Sequence, residues 1–323
     1  MCTAISFNAN KHYFGRNLDL EKRFGEKVVI TPRDYQFEFK FEEVLIKHYA
    51  IIGMAMISAN YPLYFDATNE KGLSIAGLNF VGNSYLGDFI DGKINLAPYE
   101  LIPYLLGKYA SVSECIEALK SINLVDVCFN PSLQNAELHW MIADENECIV
   151  LENVKDGMKI HKNPIGVLTN NPPFDYQVMN LNNYMSVSAL NPQNKFSDKI
   201  EFEQYSRGMG GIGLPGDFSS VSRFVRASFA VLNSVISKIE IENVTQFFHI
   251  LDYVSQIDGC IKVGDGFERT QYSSCCDTRE GIYYFKTYEN SQISSVKIKN
   301  ESLDNRELIC YELPYFQQIS NMN

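Results

Sequence analysis

The chain opens with Met1-Cys-Thr-Ala-Ile-Ser-Phe-Asn8, a segment in which a cysteine directly follows the initiator methionine. The small size of Cys2 allows methionine aminopeptidase to remove Met1, and Cys2 then carries both a free α-amine and a thiol. Their ordinary pKa values are about 8 and about 8.5, so one residue supplies a general base beside its own nucleophile. Cys2 is therefore a candidate catalytic residue. The alternative is a free thiol that packs as a small hydrophobic side chain.

The composition is that of an ordinary folded protein. Of 323 residues, 46% are hydrophobic and 21% are charged, which is enough apolar material for a sizeable core. The length alone allows two domains. Because no internal repeat and no long linker divides the chain, we expect one domain over residues 1–323, with Met1 removed in the mature form.

The charge balance and the N-terminus exclude several classes of partner. The formal net charge of −11 argues against nucleic acid, which is bound through clustered lysines and arginines. The sequence shows no signal peptide and no apolar run long enough to span a membrane, so we expect a cytoplasmic protein. In that compartment its eight cysteines stay reduced, and we expect seven buried, inert thiols beside one reactive thiol.

Hydrophobic periodicity predicts strands and helices in alternating blocks. Strands are predicted over residues 2–7, 13–19, 28–31, 49–57, 73–80, 138–143, 148–152, 165–169, 272–276, 281–288 and 295–298. Helices are predicted over residues 99–108, 112–122, 221–235 and 244–254. This order indicates stacked layers of sheets and helices, and it places Cys2 at the start of a strand.

The segment Phe14-Gly-Arg16-Asn-Leu-Asp19 provides candidate partners for Cys2. A catalytic thiolate needs a positive neighbour, and the α-amine needs an acceptor that holds it in place. If this strand pairs with the Cys2 strand, Arg16 can reach the thiol and Asp19 can reach the ammonium. The alternative is an ion pair exposed at a strand end.

Three further polar residues fit the same chemistry. Asn79 and Asn170 each lie where an apolar strand ends, and either side chain can donate to the oxyanion of a tetrahedral intermediate. Asparagine at a strand end is also typical of turns. Arg223 lies in the first turns of an otherwise apolar helix, where the alternative is a surface arginine.

Taken together, these segments resemble the choloylglycine hydrolase family, whose members are bile salt hydrolases and penicillin V acylases. The resemblance is carried, in chain order, by Met-Cys2-Thr, Phe-Gly-Arg16-Asn-Leu-Asp19, Gly-Leu-Asn79-Phe, Leu-Thr-Asn170-Asn-Pro and Leu-Pro-Gly-Asp-Phe-Ser-Ser-Val-Ser-Arg223-Phe. It extends over nearly the whole chain.

The resemblance implies an α+β fold of the N-terminal nucleophile hydrolase type. Two stacked antiparallel sheets would lie between helical layers, in the order αββα, and the chain would assemble as a homotetramer. Cys2 would be the nucleophile, oriented and polarised by Arg16 and Asp19. Asn79 and Asn170 would form the oxyanion site, and Arg223 would maintain a local positive field. This chemistry requires no metal and no cofactor.

The resemblance also implies the substrate, a bile acid conjugated to glycine or taurine, whose amide bond would be cleaved through a thioester on Cys2. Penicillin V acylases commonly carry tyrosine at the position of Asn79, so Asn79 favours the bile salt branch. The positions that the family uses for the steroid cleft are Leu18, Phe65, Phe129, Leu133 and Leu138. Ser206 and Arg207 lie in the segment that distinguishes glycine-preferring from taurine-preferring relatives.

Three alternatives remain at this stage. The substrate can be penicillin V or another N-acyl amide instead of a conjugated bile salt. A glutaminase-type domain also begins Met-Cys, but those domains continue Cys-Gly and carry an Asn-Gly-Asp segment that this chain lacks. A non-catalytic carrier of bile acids or lipids would keep the fold, with Cys2 buried behind a retained Met1.

Overall fold

The computed structural model describes all 323 residues. The first nine strands are β1 (Cys2–Asn8), β2 (His12–Leu20), β3 (Lys27–Thr31), β4 (Ile51–Ser58), β5 (Tyr61–Asn69), β6 (Ser74–Asn79), β7 (Ile94–Leu96), β8 (Ile122–Leu124) and β9 (Leu138–Ala143). The other nine are β10 (Cys148–Val154), β11 (Gly157–Lys162), β12 (Val167–Leu168), β13 (Lys262–Val263), β14 (Gly266–Phe267), β15 (Arg269–Asp277), β16 (Ile282–Thr287), β17 (Ser294–Lys297) and β18 (Ile309–Tyr311). The α-helices are α1 (Leu101–Lys108), α2 (Val112–Leu119), α3 (Phe174–Asn180), α4 (Ser220–Asn233) and α5 (Glu240–Asp252).

Two antiparallel sheets dominate the fold. The first has six strands in the order β12-β1-β2-β15-β16-β17, and the second has eight in the order β11-β10-β9-β6-β5-β4-β3-β18. The N-terminal strand β1 therefore lies inside the first sheet, paired with β2 on one side and with β12 on the other. Cys2 itself pairs with Leu18 of β2, whereas β12 pairs with Ala4 and Ile5.

Three hydrophobic clusters show how the layers stack. The central cluster joins the two sheets, for example Ala4 and Phe14 of the first with Met54 and Met141 of the second. A second cluster packs α1 and α2 on the outer face of the eight-stranded sheet, and a third packs α5 on the outer face of the six-stranded sheet. The predicted αββα layering is confirmed.

The local predictions are mostly confirmed, with several differences. The strand β5, the strand β11 and the short helix α3 were not predicted. The helix predicted over residues 112–122 ends at Leu119, because Ile122–Leu124 forms β8 and pairs with β7. The predicted helix start is correct, since the Ser111 side chain accepts a hydrogen bond from the Glu114 amide.

The prediction of seven buried thiols is wrong. All eight cysteines are free, but Cys260 and Cys310 are exposed, and Cys128 and Cys148 are only half-buried. Cys115 packs in the helical layer as expected. None of the helices has the combination of length and apolar character that a membrane span needs.

Gly15 of β2 lies against the backbone of β15. A Cβ atom at Gly15 would lie 2.0 Å from the backbone oxygen of Ser274. We expect Gly15→Ala to lower the free energy of unfolding by about 3 kcal/mol, because backbone in the centre of the sheet would have to move. Urea unfolding measures this change. Gly216→Ala is the matched control, since a Cβ there meets nothing within 4 Å, and equal losses in both variants would contradict the prediction.

Candidate active site

The pairing of β1 with β2 brings the predicted residues together at one end of the six-stranded sheet. Cys2 lies opposite Leu18, and Ala4 lies opposite Arg16. On the far side of β2, Asp19 lies opposite Thr270 of β15. The Cys2 side chain is buried at the end of β1 and faces the space between the two sheets.

Met1 is present in the structure and continues the pairing of β1 with β2 by one residue. Its carbonyl accepts a hydrogen bond from the Asp19 amide at 2.9 Å. Its ammonium donates to the Asp19 carbonyl at 2.6 Å and forms an ion pair with Glu268 at 2.8 Å. In this form the nitrogen of Cys2 is a peptide nitrogen without basicity.

The nitrogen of Cys2 donates to Oδ1 of Asn170 at 2.7 Å. Asn170 lies beyond the end of β12, the strand that pairs with β1 on the side away from β2. The same Oδ1 accepts from Nη2 of Arg223 at 2.9 Å. Asn170 therefore holds the Cys2 nitrogen, the atom that would become the α-amine if Met1 were removed.

Arg223 is completely buried, so the alternative of a surface arginine is excluded. Its Nη1 donates to the Cys2 carbonyl and, at 2.7 Å, to Oγ1 of Thr3, and it lies 3.9 Å from Oδ2 of Asp19. Burial lowers the pKa of Arg223, while Asp19 and Cys2 raise it. The guanidinium cross-links the first two residues of β1 to Asn170 and Asp19.

Asp19 is a buried carboxylate that accepts a hydrogen bond from the Thr270 hydroxyl at 2.7 Å. Its other oxygen has no hydrogen-bond partner. Burial raises the pKa of Asp19, and Arg223, the N-terminal ammonium and the Thr270 hydroxyl each lower it. The Asp19 carboxyl group thus lies near the N-terminus, but with Met1 in place the ammonium pairs with Glu268 and bonds only the backbone carbonyl of Asp19.

Arg16 is also completely buried, and its Nη1 donates to the carbonyl oxygens of Phe65 and Gly77. Its Nη2 has no hydrogen-bond partner. Burial lowers the pKa of Arg16, but neighbouring negative groups, the Cys2 thiolate first among them, outweigh burial and raise it above its ordinary value. Arg16 and Cys2 line the same cavity.

The two predicted oxyanion residues are not equivalent. Nδ2 of Asn170 donates to the Asn79 carbonyl at 2.8 Å, so both ends of the Asn170 amide are occupied. The Asn79 side chain lines the cavity beside Cys2 and Arg16. Of the two side chains, Asn79 is the one available to donate to a substrate oxyanion, while Asn170 holds the Cys2 nitrogen.

The cavity has a volume of about 300 Å³, at the lower end of the range for small-molecule sites. Fifteen of its 21 lining residues are hydrophobic, which suits an apolar ligand group. The predicted cleft residues Leu18, Phe65, Phe129, Leu133 and Leu138 all line it. The prediction missed other lining residues, including Leu20, Phe24, Leu63, Tyr99, Ile102 and Trp140.

Ser206 and Arg207 lie elsewhere. Both are exposed, and neither is among the residues that line the cavity. They belong to an irregular stretch between α3 and α4. A contact between these two residues and substrate therefore stays a prediction that the geometry of a single chain does not support.

Two residues of the site were missed in the sequence. Glu268 and Thr270 flank the N-terminus only because β15 pairs with β2 across about 250 positions of sequence. The available signal was the run of polar residues Glu268-Arg-Thr270-Gln directly before the apolar part of β15. Its pairing partner could not be read from the sequence.

Comparisons with known proteins agree with this geometry. Residues 2–311 match the family model described as linear amide C–N hydrolases, choloylglycine hydrolase family. A bile salt hydrolase/transferase from Lactiplantibacillus plantarum is 54% identical over 314 residues, which are 97% of each chain. The crystal structure of a variant of conjugated bile acid hydrolase from Clostridium perfringens has a TM-score of 0.92 and 38% identity, covering 100% of both chains. Penicillin V acylase from Agrobacterium tumefaciens shares the fold, with a TM-score of 0.76 at 20% identity over 95% of this chain and 90% of that chain.

The hydrogen bond from Thr270 to Asp19 gives a pH-dependent prediction. Thr270→Val removes a donor to the carboxylate and raises the pKa of Asp19 further. We expect a loss of about 1.5–3 kcal/mol of stability at pH values where Asp19 is ionised in the folded protein. The folded-state pKa of Asp19 is raised above its ordinary value in the wild type and more so in the variant, so the loss should shrink as the pH falls through these two raised pKa values, because folded Asp19 then carries the proton in both proteins.

Urea unfolding at a series of pH values measures this difference. Thr31→Val is the matched control, since Thr31 is equally buried but its hydroxyl bonds the neutral hydroxyl of Tyr64. Its destabilisation should not depend on pH in the acid range. A Thr270→Val loss that is constant with pH would show that the hydroxyl does not stabilise a charge.

Proposed function

The chain belongs to the choloylglycine hydrolase family of linear amide C–N hydrolases, and we propose that it hydrolyses the amide bond of glycine- and taurine-conjugated bile acids. The observation that carries the proposal is the apolar cavity with Cys2, Arg16 and Asn79 in its wall. A flat apolar acyl group fits that lining, and the scissile carbonyl then lies at the polar residues.

The first step is attack by the thiolate. After Met1 is removed, the α-amine of Cys2 takes the thiol proton while Asn170 Oδ1 holds the nitrogen. The sulfur attacks the amide carbonyl carbon, and the carbonyl oxygen becomes an oxyanion. The Asn79 side chain donates to that oxyanion, a contribution of about 10²- to 10³-fold in rate. Arg16 supplies positive charge from the same wall.

The second step releases the products. The C–N bond breaks as the α-ammonium of Cys2 gives its proton to the leaving amine, and the acyl group stays on sulfur as a thioester. Water then attacks the thioester carbonyl while the α-amine accepts a proton. Collapse of this second intermediate frees the bile acid and restores the thiol.

A second activity follows from the same intermediate. The name of the relative from Lactiplantibacillus plantarum includes transferase as well as hydrolase. A site that releases an amine from the acyl group also allows an amine to attack the thioester, because the two reactions pass through one tetrahedral intermediate. We therefore propose acyl transfer to free amines as a minor reaction of this chain.

The alternatives of penicillin V and a non-catalytic carrier are tested together with the main proposal. Purified protein is incubated with glycocholate, taurocholate and penicillin V, and released amine and acid are quantified. Faster turnover of penicillin V than of either conjugate would favour the acylase. Binding of bile acid without turnover, in protein whose Met1 has been removed, would favour the carrier.

The requirement for a free α-amine gives the sharpest prediction. A fusion cleaved in vitro directly before Met1 yields the retained form, and an aminopeptidase then converts it to the processed form. We expect the retained form to be at least about 10²-fold slower, because an amide nitrogen cannot act as a base. Product release before and after conversion, with intact mass, measures this.

Cys2→Ala is the control, and it should stay inactive in both forms. Its melting temperature should stay close to that of the wild type, since a small side chain replaces the thiol. Equal activity of the retained and processed wild-type forms would contradict the mechanism, because the nitrogen of Cys2 would then have no catalytic role.

We also propose that residues 1–323 form one domain and that four copies of it associate. The central hydrophobic cluster draws side chains from Cys2 through Leu313, which supports a single domain. Between α3 and α4, large apolar side chains are exposed, among them Met185, Leu190, Phe196 and Tyr205. Exposed apolar side chains grouped on one segment are typical of protein interfaces. The cytoplasmic location expected from the sequence stays a prediction.

The tetramer predicts a loss of assembly when this segment becomes charged. Leu190 is 76% exposed and Phe196 is 84% exposed in the single chain. The double variant Leu190→Glu, Phe196→Glu should shift the mass measured by light scattering from that of a tetramer to a smaller species. Phe316→Glu is the matched control, since Phe316 is 86% exposed but lies near the C-terminus. An unchanged mass in the double variant would exclude this segment from the interface.

A further inference from the structure

A buried histidine and a buried glutamate lie behind the candidate active site. His139 is on β9, next to the cavity residue Leu138, and is completely buried. Its Nδ1 lies 3.2 Å from Oε1 of Glu152, and its Nε2 lies 2.9 Å from the carbonyl oxygen of Thr169. Glu152 is 1% exposed, so water does not compete for these bonds.

The face of the same imidazole packs on Phe80. The two ring centroids are 4.3 Å apart and the planes differ by 6°, a parallel stack. Phe80 directly follows Asn79, and its amide donates to the carbonyl of Glu137 at 2.7 Å. The position of the Phe80 ring therefore depends on His139, and the backbone of Asn79 is attached to it.

The nitrogen side of the imidazole contacts the other half of the site. Thr169 directly precedes Asn170, so the bond from His139 to the Thr169 carbonyl fixes the chain just before the residue that holds Cys2. One ring thus contacts both segments that carry the asparagines. Asn79 and Asn170 are 91 positions apart in sequence and are also joined directly by a single hydrogen bond.

Glu152 holds the chain after Asn170 as well. Its Oε1 accepts from the amide of Phe174, the first residue of α3, at 2.9 Å. In that helix the Gln177 side chain donates to the Asn170 carbonyl at 3.2 Å. The segment that carries Asn170 is thus held before Asn170 through His139 and after it through α3. Glu152 contacts His139 and also the first residue of α3.

We propose that His139 and Glu152 form a positioning pair that sets the distance between Asn79 and Asn170. This inference rests on the proposed function, in which Asn79 donates to the oxyanion and Asn170 holds the amine of Cys2. Neither His139 nor Glu152 lines the cavity. The pair therefore affects the transition state and leaves the binding of the apolar acyl group unchanged.

Three variants separate the contacts of the pair. His139→Phe keeps a ring for Phe80 but loses both hydrogen bonds. His139→Gln loses the stack but can still donate to the Thr169 carbonyl. Glu152→Gln keeps an oxygen for the Phe174 amide and removes the charge, and it serves as the milder change if the histidine variants fold poorly.

His12→Phe is the matched control. His12 is 2% exposed, and both its ring nitrogens bond hydroxyls, those of Ser6 and Thr278. It lies on the same hairpin as Cys2 but at the opposite end, opposite Asn8. The control thus loses a buried histidine of similar bonding without touching either asparagine.

The first readout is the split between kcat and KM for glycocholate. We expect His139→Phe to lower kcat by about 10²-fold, the scale of a lost oxyanion donor, with KM changed by less than about threefold. His139→Gln should recover about tenfold of that loss, since one hydrogen bond to the chain of Asn170 remains. His12→Phe should leave kcat within about threefold of the wild type.

The second readout separates positioning from folding. An aldehyde analogue of a bile acid forms a hemithioacetal with Cys2 and needs the oxyanion site, whereas alkylation by iodoacetamide needs only the thiolate. His139→Phe should weaken binding of the aldehyde analogue by a factor similar to the loss in kcat. The rate of alkylation by iodoacetamide should stay within about threefold of the wild-type rate. A merely structural role would lower both together.

Two results would overturn the inference. One is a kcat of His139→Phe and of Glu152→Gln within about threefold of the wild type. The other is a parallel loss of kcat, aldehyde affinity and alkylation rate in His139→Phe, whether or not His12→Phe shows it too. Failure of the proposed function looks different, because wild-type protein would then release no glycine from glycocholate. In that case kcat of the same variants would be compared with penicillin V as the substrate. A wild type that turns over neither amide would overturn both proposals.

Discussion

The hydrogen bond between the nitrogen of Cys2 and Oδ1 of Asn170 is the contact on which the site depends. A chain terminus is normally the least ordered part of a protein. Here the first strand lies inside a sheet, and Arg223 ties the Cys2 carbonyl to the same Asn170 oxygen. The nucleophile therefore has a fixed position although it lies at the start of the chain.

Charge balance explains why this region is so heavily cross-linked. Arg16 and Arg223 are both completely buried, and a buried charge without a partner costs several kcal/mol. Arg223 faces Asp19, whereas Arg16 donates only to backbone carbonyls. The carboxylate of Asp66 also raises the pKa of Arg16, but less than the Cys2 thiolate does. Because Arg16 has no direct ion pair, its positive field remains available to the sulfur.

The sequence predicted what depends on local patterns and on the family resemblance. Apolar and β-branched runs bounded by turn residues identified β1, β2 and β9, and the five catalytic residues predicted beside Cys2 lie around it or line its cavity. The strand β5 was missed because Pro62 near its start argues against a strand. The bond from Thr270 to Asp19 joins residues 251 positions apart, and only the sheet order reveals it. Ser206 and Arg207 were chosen from the family resemblance, and they lie on an irregular exposed stretch outside the cavity lining, so their contact with substrate stays a prediction.

Removal of Met1 changes the electrostatics of the site as well as its chemistry. In the retained form the ammonium forms an ion pair with Glu268. In the proposed mature form, without Met1, the α-amine would lie where the Cys2 nitrogen is now and would share Asn170 Oδ1 with the guanidinium of Arg223. A neighbouring positive charge favours the neutral amine, and only the neutral amine can accept the thiol proton. Asp19 acts in the opposite direction, because a negative charge favours the protonated amine. The balance between Arg223 and Asp19 would therefore set the fraction of the α-amine that is neutral.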